Sequence, residues 1–228
     1  MKRIQNNVGT RPVWLVDTAL AFQRMAIIHQ ASLTPTKLEL LEEWLPAQPW
    51  YPGESAAGLA RLGAARFDDP AGAVGVEIFV VRAPGGPLVQ VPMTYRAAPV
   101  DGGGRWLIGT TEHSVLGTRW VYDAVGDPVF VAALAEAIRT GGTEAPEFVE
   151  TPDGPVARAP LMTLRGSGTQ APGTAAEIVR VDDGDPAVIL TNVGELSVPR
   201  LPSADPPDTT LTLTGAWDGQ SIILAVLS

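Results

Sequence analysis

A chain of 228 residues, 45% hydrophobic and 18% charged, suffices for one or two globular units and needs no covalent staple to bury a core. Its formal net charge of −9 repels phosphate backbones and anionic lipid surfaces, which excludes nucleic acid and membranes as partners. With no cysteine there are no disulfides, thiolate metal sites or cysteine nucleophiles, a composition that suits a reducing cytoplasm.

Residues 1–24 carry Lys2, Arg3, Arg11 and Arg24 against the single acid Asp17, unlike the acidic remainder. They read as a leader or upstream extension, with Met25 as the natural start. A secretory signal is disfavoured, because Asp17 interrupts the apolar stretch and no small-residue cleavage site follows.

A first helix is expected from Thr34, with Thr34 as N-cap and Pro35 at the first helical position. Thr36 and Glu39 offer a capping box one register later. Leu38, Leu41 and Leu45 form the apolar stripe, widened by Leu40 and Trp44, and Pro46 ends it. Val74 to Val80 alternates as a strand and turns at Pro84-Gly85-Gly86. Leu88 to Arg96 returns with Val89, Val91, Met93 and Tyr95 on one face; Pro92 marks an edge or a bulge, since it cannot donate to a ladder. Arg105–His113 and Thr118–Asp123 form a second hairpin. A second helix starts at Asp127-Pro128, runs through Val131, Leu134 and Ile138, and stops at Gly141-Gly142. The fold class is therefore α+β: an antiparallel β-meander packed on a helix, followed by a smaller β-rich part. The expected organisation is the leader at 1–24, an α+β domain at 25–142, a proline-bearing acidic connector at 143–158 and the β-rich part at 159–228. Short strands are expected there near 159–164, 176–181, 187–191, 209–214 and 221–227.

The search for catalytic chemistry returns no complete motif. Gly104 to Thr111 has the glycine spacing of a P-loop, but Thr110 stands where the lysine is required and the residues alternate like a strand. Gly166-Ser167-Gly168 imitates a nucleophile elbow loosely and reads as a flexible turn. The acidic turn Asp182-Asp183-Gly184-Asp185 lacks the ligand spacing of a calcium loop. With His29 and His113 the only histidines, a multi-histidine zinc site has little material. No catalytic residue, metal ligand or cofactor is assigned. What remains is a polar and aromatic patch of Tyr95, Trp106, Glu112, His113, Arg119 and Trp120, able to stack on a sugar ring. The competing account makes the tryptophans sheet residues and His113 a turn cap.

The order Pro35-Thr36-Lys37-Leu38-Glu39-Leu40-Leu41, Trp44-Leu45-Pro46-Ala47-Gln48-Pro49-Trp50-Tyr51, Val91-Pro92-Met93-Thr94-Tyr95-Arg96, Leu107 to His113, Trp120-Val121-Tyr122-Asp123-Ala124 and Asp127-Pro128-Val129-Phe130 resembles the N-terminal cap domain of maltokinases. More closely, it is similar to short actinobacterial proteins carrying only such a cap-like domain, some described as 1,4-α-glucan branching proteins. The resemblance spans roughly residues 25–140 and implies a cystatin-like arrangement, a helix held by an antiparallel sheet. Complete maltokinases add two kinase lobes and phosphorylate maltose with ATP and magnesium. Here Trp50 to Glu54 lacks the family's lysine, and no kinase catalytic loop follows, so that activity is not carried over. The resemblance implies a cytoplasmic, non-catalytic accessory or regulatory protein of α-glucan, maltose or trehalose metabolism. It would dock to an enzyme of α-glucan or sugar-phosphate metabolism. A saccharide-binding module is the alternative; a glucan-branching or sugar-kinase-related enzyme comes third. Homo-oligomerisation stays open.

Overall fold

The computed structural model describes residues 27–28, 32–151, 154–203 and 211–228; the leader at 1–24, Met25 and His29 lie outside them. A parallel pair joins β1 (Ile27–Ile28) to a later hairpin, and β2 (Leu33–Thr34) begins the first large sheet. Helix α1 (Lys37–Trp44) is capped by Thr36, whose hydroxyl accepts from the Glu39 N–H while Glu39 reaches back to the Thr36 N–H. The later of the two expected registers is therefore used. Thr34 is spent in β2 and leaves the cap to Thr36.

Five longer strands complete the first sheet: β3 (Ala60–Phe67), β4 (Gly75–Arg82), β5 (Leu88–Arg96), β6 (Leu107–His113) and β7 (Gly117–Asp123). Their spatial order is β2-β6-β7-β5-β4-β3, antiparallel throughout. The sheet departs from a strict meander twice: β2 pairs with β6 and not with β3, and the β6–β7 hairpin turns over, so that β7 and not β6 pairs with β5. Pro92 explains where that pairing stops. β7 covers only Met93–Arg96, and the imino nitrogen lies just past the last paired residue. β3 was not expected, because its small residues Ala60, Gly63, Ala64 and Ala65 hide the alternation.

Helix α2 (Pro128–Thr140) has the anticipated ends, with Asp127 accepting from the Val129 N–H and Gly141 left-handed at φ 72°. The stretch expected as a connector holds a hairpin, β8 (Glu147–Thr151) and β9 (Gly154–Arg158). The second large sheet contains β10 (Thr163–Gly166), β11 (Ile178–Asp182), β12 (Ala187–Thr191), β13 (Gly194–Val198), β14 (Leu211–Trp217) and β15 (Gln220–Leu227). Its order is β10-β14-β15-β13-β12-β11. β13 was not anticipated.

The two faces of the first sheet are covered differently. One carries Phe79, Val81, Val89, Val91, Met93 and Val121 against Leu40, Leu41 and Leu45 from the α1 region. The other carries Ala65, Phe67, Val76, Ile78 and Val80 into a core shared with α2 and with Ile189, Leu196, Leu213 and Leu224 of the second sheet. The fold is α+β and mostly antiparallel. Among the described residues no helix is long and apolar enough to cross a membrane.

Candidate functional site

Strand register decides which expected site residues can meet, because directly opposed residues share a face and neighbours alternate. Tyr95 opposes Val121, and Arg119 opposes Thr111. These residues and His113 therefore face the α1 side. Trp120 opposes both Arg96 and Thr110, and Glu112 opposes Thr118, which puts Trp120 and Glu112 on the α2 side. Trp106 lies outside the strands, in the 3-10 turn Gly103–Trp106. The six residues are thus divided among two faces and a turn, and do not form one patch.

Each α1-side residue has local work. Tyr95 lies beneath Lys37, whose Nζ is 4.4 Å from the ring centroid, and Lys37 also pairs with Glu77. Burial alone would raise the Glu77 pKa, but the Lys37 charge and hydrogen bond outweigh it and hold the carboxyl below its ordinary value. Burial and the neighbouring Glu77 charge push the Tyr95 phenol well above its usual range. His113 Nδ1 accepts from the Val115 and Leu116 amides, at 3.2 and 3.1 Å, and so braces the hairpin tip. Arg119 Nη1 donates to the Thr118 carbonyl.

Trp106 packs its indole so closely against Gly126 that a Cβ there would overlap the ring, while the Arg105 guanidinium lies 4.1 Å from the ring centroid. With Val100, Tyr122, Asp127 and Pro128 it lines a cleft of about 230 Å³ including its open mouth. That is below the roughly 300–1,000 Å³ of ordinary small-molecule sites.

The α2-side strip does gather complementary groups. Arg96, Trp120 and Thr110 form one row across three strands, with Thr118 and Glu112 in the next. Trp120 is half-buried, Thr110 and Glu112 are exposed, and Thr118 Oγ1 donates to Glu112 Oε1 at 2.7 Å. Arg96, Thr110 and Thr118 were missed by sequence reading. Period-two alternation from Trp120 points to Thr118, but the other two require the register.

The tip of the β6–β7 hairpin presents Val115 and Leu116, 60% and 49% exposed. Sequence reading assigned them no role beyond a turn.

The other expected motifs are absorbed structurally. Ser167 Oγ accepts from the Thr212 amide at 2.8 Å, while Gly166 and Gly168 lie against the last carbonyls of α2. The acidic turn serves Arg200: Asp183 pairs with its guanidinium and Asp185 accepts from its amide. Among the described residues no group of three or more His, Cys, Asp or Glu is arranged to hold a metal ion.

Residues 44–127, from the end of α1 to the N-cap of α2, match the family model of the maltokinase N-terminal cap domain. This segment is similar to that cap domain. It covers a little over a third of the chain and includes β3 to β7, hence Tyr95, Trp106, the Trp120 strip and the hairpin tip. The helix and the second sheet that pack on the cap domain lie outside the match. No curated protein gives a match to the chain.

Proposed function

We propose that this chain is an accessory protein of maltose and α-glucan metabolism, trehalose included, which acts by docking its cap domain onto an enzyme of that metabolism. The observation that carries this reading is the apolar hairpin tip, Val115 and Leu116, within the matched segment. The core of the cap sheet is covered on one face by the α1 region and on the other by α2 and the second sheet, so the tip is its most outward apolar feature. Exposed apolar groups held in a fixed turn suit insertion into a partner's pocket. The experiment is affinity capture with the wild type and a Val115→Ser/Leu116→Ser variant, followed by reconstitution with purified candidates. Enzymes acting on maltose, α-glucan or sugar phosphates should bind the wild type and not the variant. Absence of any such enzyme from the wild-type fraction overturns the reading.

A second reading, a saccharide-binding module, is favoured by the Arg96, Trp120, Thr110, Thr118 and Glu112 strip. A half-buried indole flanked by hydroxyls, a carboxylate and a guanidinium offers stacking and hydrogen bonding to a sugar on an open face. Titration with maltose, trehalose or glycogen under tryptophan fluorescence tests it. A response lost in Trp120→Ala supports it, and no response to any saccharide removes it.

A further inference from the structure

Arg200 follows β13 and is 0% exposed, a rare state for arginine. Its Nη1 and Nη2 donate to both carboxylate oxygens of Asp123, at 3.0 and 2.5 Å, and Asp123 is itself 1% exposed at the end of β7. Nη2 also reaches Asp183 at 3.1 Å. The Cζ lies 4.8 Å from the ring centroid of Trp50, in the chain leaving α1. The main chain repeats the pattern: the Arg200 amide donates to Asp185, and its carbonyl accepts from the Gln90 amide of β5 at 2.8 Å. Beside it, Gln90 Nε2 donates to the Leu224 carbonyl of β15. One residue of the C-terminal part therefore touches the α1 exit, β5 and β7 of the cap domain, and its partners recur across the same interface.

We infer that Arg200 is an internal latch that makes the cap domain and the C-terminal sheet open and close as one unit. Breaking the pair while either side stays packed would leave a buried charge without its partner, which is strongly unfavourable, so the two sides lose their packing together. Asp183 from the C-terminal part shares the same guanidinium, and its charge repels that of Asp123, so Arg200 is the cation that both carboxylates depend on, while Asp185 holds the Arg200 amide. The C-terminal sheet and the cap segment thus belong to one cooperative unit.

Native-state hydrogen exchange of the full chain at rising urea tests this. In the wild type the slowest amides of β4 and β5 and those of β13 and β15 should share one opening equilibrium and one urea dependence. Two separate values in the wild type overturn the inference. Arg200→Met should split them, with protection of the two sets diverging by about tenfold or more, and coincident protection in that variant overturns it. If Arg200→Met does not accumulate folded, Asp183→Ala removes one contact and leaves the Asp123 pair closed. Both sets should then weaken by the same factor, and unequal weakening overturns the inference.

Discussion

Arg96 grips both carboxylate oxygens of Asp127, Nε to Oδ2 at 2.8 Å and Nη2 to Oδ1 at 2.7 Å, while Asp127 caps α2. Thr94 Oγ1 donates to the same carboxylate at 2.7 Å. A residue legible as a helix cap is therefore also the joint between α2 and β5. Asp127→Ala loses the cap and leaves Arg96 and Thr94 without their acceptor, so it should cost about 3 kcal/mol in urea unfolding. Asp127→Asn keeps the cap and should cost clearly less.

The same joint gives a pH dependence. Burial would raise the Asp127 pKa, but hydrogen bonds from Arg96, Thr94 and the Val129 amide outweigh it and hold the carboxyl below its ordinary value. A depressed folded value means the stabilisation is complete above the unfolded pKa, about 3.9, and is lost as pH falls through the folded value. The stability gap between wild type and Asp127→Asn should therefore be constant from neutral pH to about pH 5 and narrow below about pH 4. A gap that widens on acidification would contradict this.

Glu77 and Lys37 form a second joint, between β4 and the first turn of α1, with Tyr95 beneath the ammonium. Both side chains are about three-quarters buried, so the pair is screened less than a surface one. Glu77→Gln should cost about 1–2 kcal/mol. Lys37→Met, which keeps the apolar stem over Tyr95, should cost less than Lys37→Ala, as measured by chemical denaturation.

The glycines after β10 separate packing from chemistry. A Cβ on Gly168 would overlap the Arg139 carbonyl, which belongs to backbone and cannot step aside. Gly168→Ala should destabilise by about 2 kcal/mol or more, whereas Gly104→Ala, where a Cβ meets nothing within 4 Å, should stay within about 0.5 kcal/mol. Thermal melts of the two variants make the comparison directly.

Elements with strong local signals were legible in the sequence: α2 from Asp127-Pro128 to Gly141, β5 by its alternation, and the β6–β7 hairpin. β3 and β13 were not, because Gly63, Ala64 and Ala65 in one and Gly194-Glu195 in the other blunt the hydrophobic period. The candidate site was legible only in its residue types. Tyr95 and Trp120 are 25 positions apart on neighbouring strands, and a one-residue difference in register decides whether they share a face. Arg200 was invisible because its partners Asp123 and Trp50 are 77 and 150 positions away, and no local pattern announces a buried cation.

The hairpin tip joins β6 and β7, which carry all of the Trp120 strip except Arg96, yet the two answer to different substitutions. Val115 and Leu116 are exposed, and their side chains support no core cluster, so Val115→Ser/Leu116→Ser should change stability by no more than about 0.5 kcal/mol. His113 braces the turn through the two backbone amides, which survive the substitution, so the tip should keep its shape. Loss of partner binding in this variant, with an unchanged melt, would therefore report a lost contact and not a lost fold. Trp120→Ala is the reciprocal control: it removes the indole from the strip, and the tip sits at the far end of β7. If docking runs through the tip, Trp120→Ala should retain the partner while the double serine variant loses it. Titration calorimetry with the captured enzyme measures both, and the opposite ranking would move the contact from the tip to the strip.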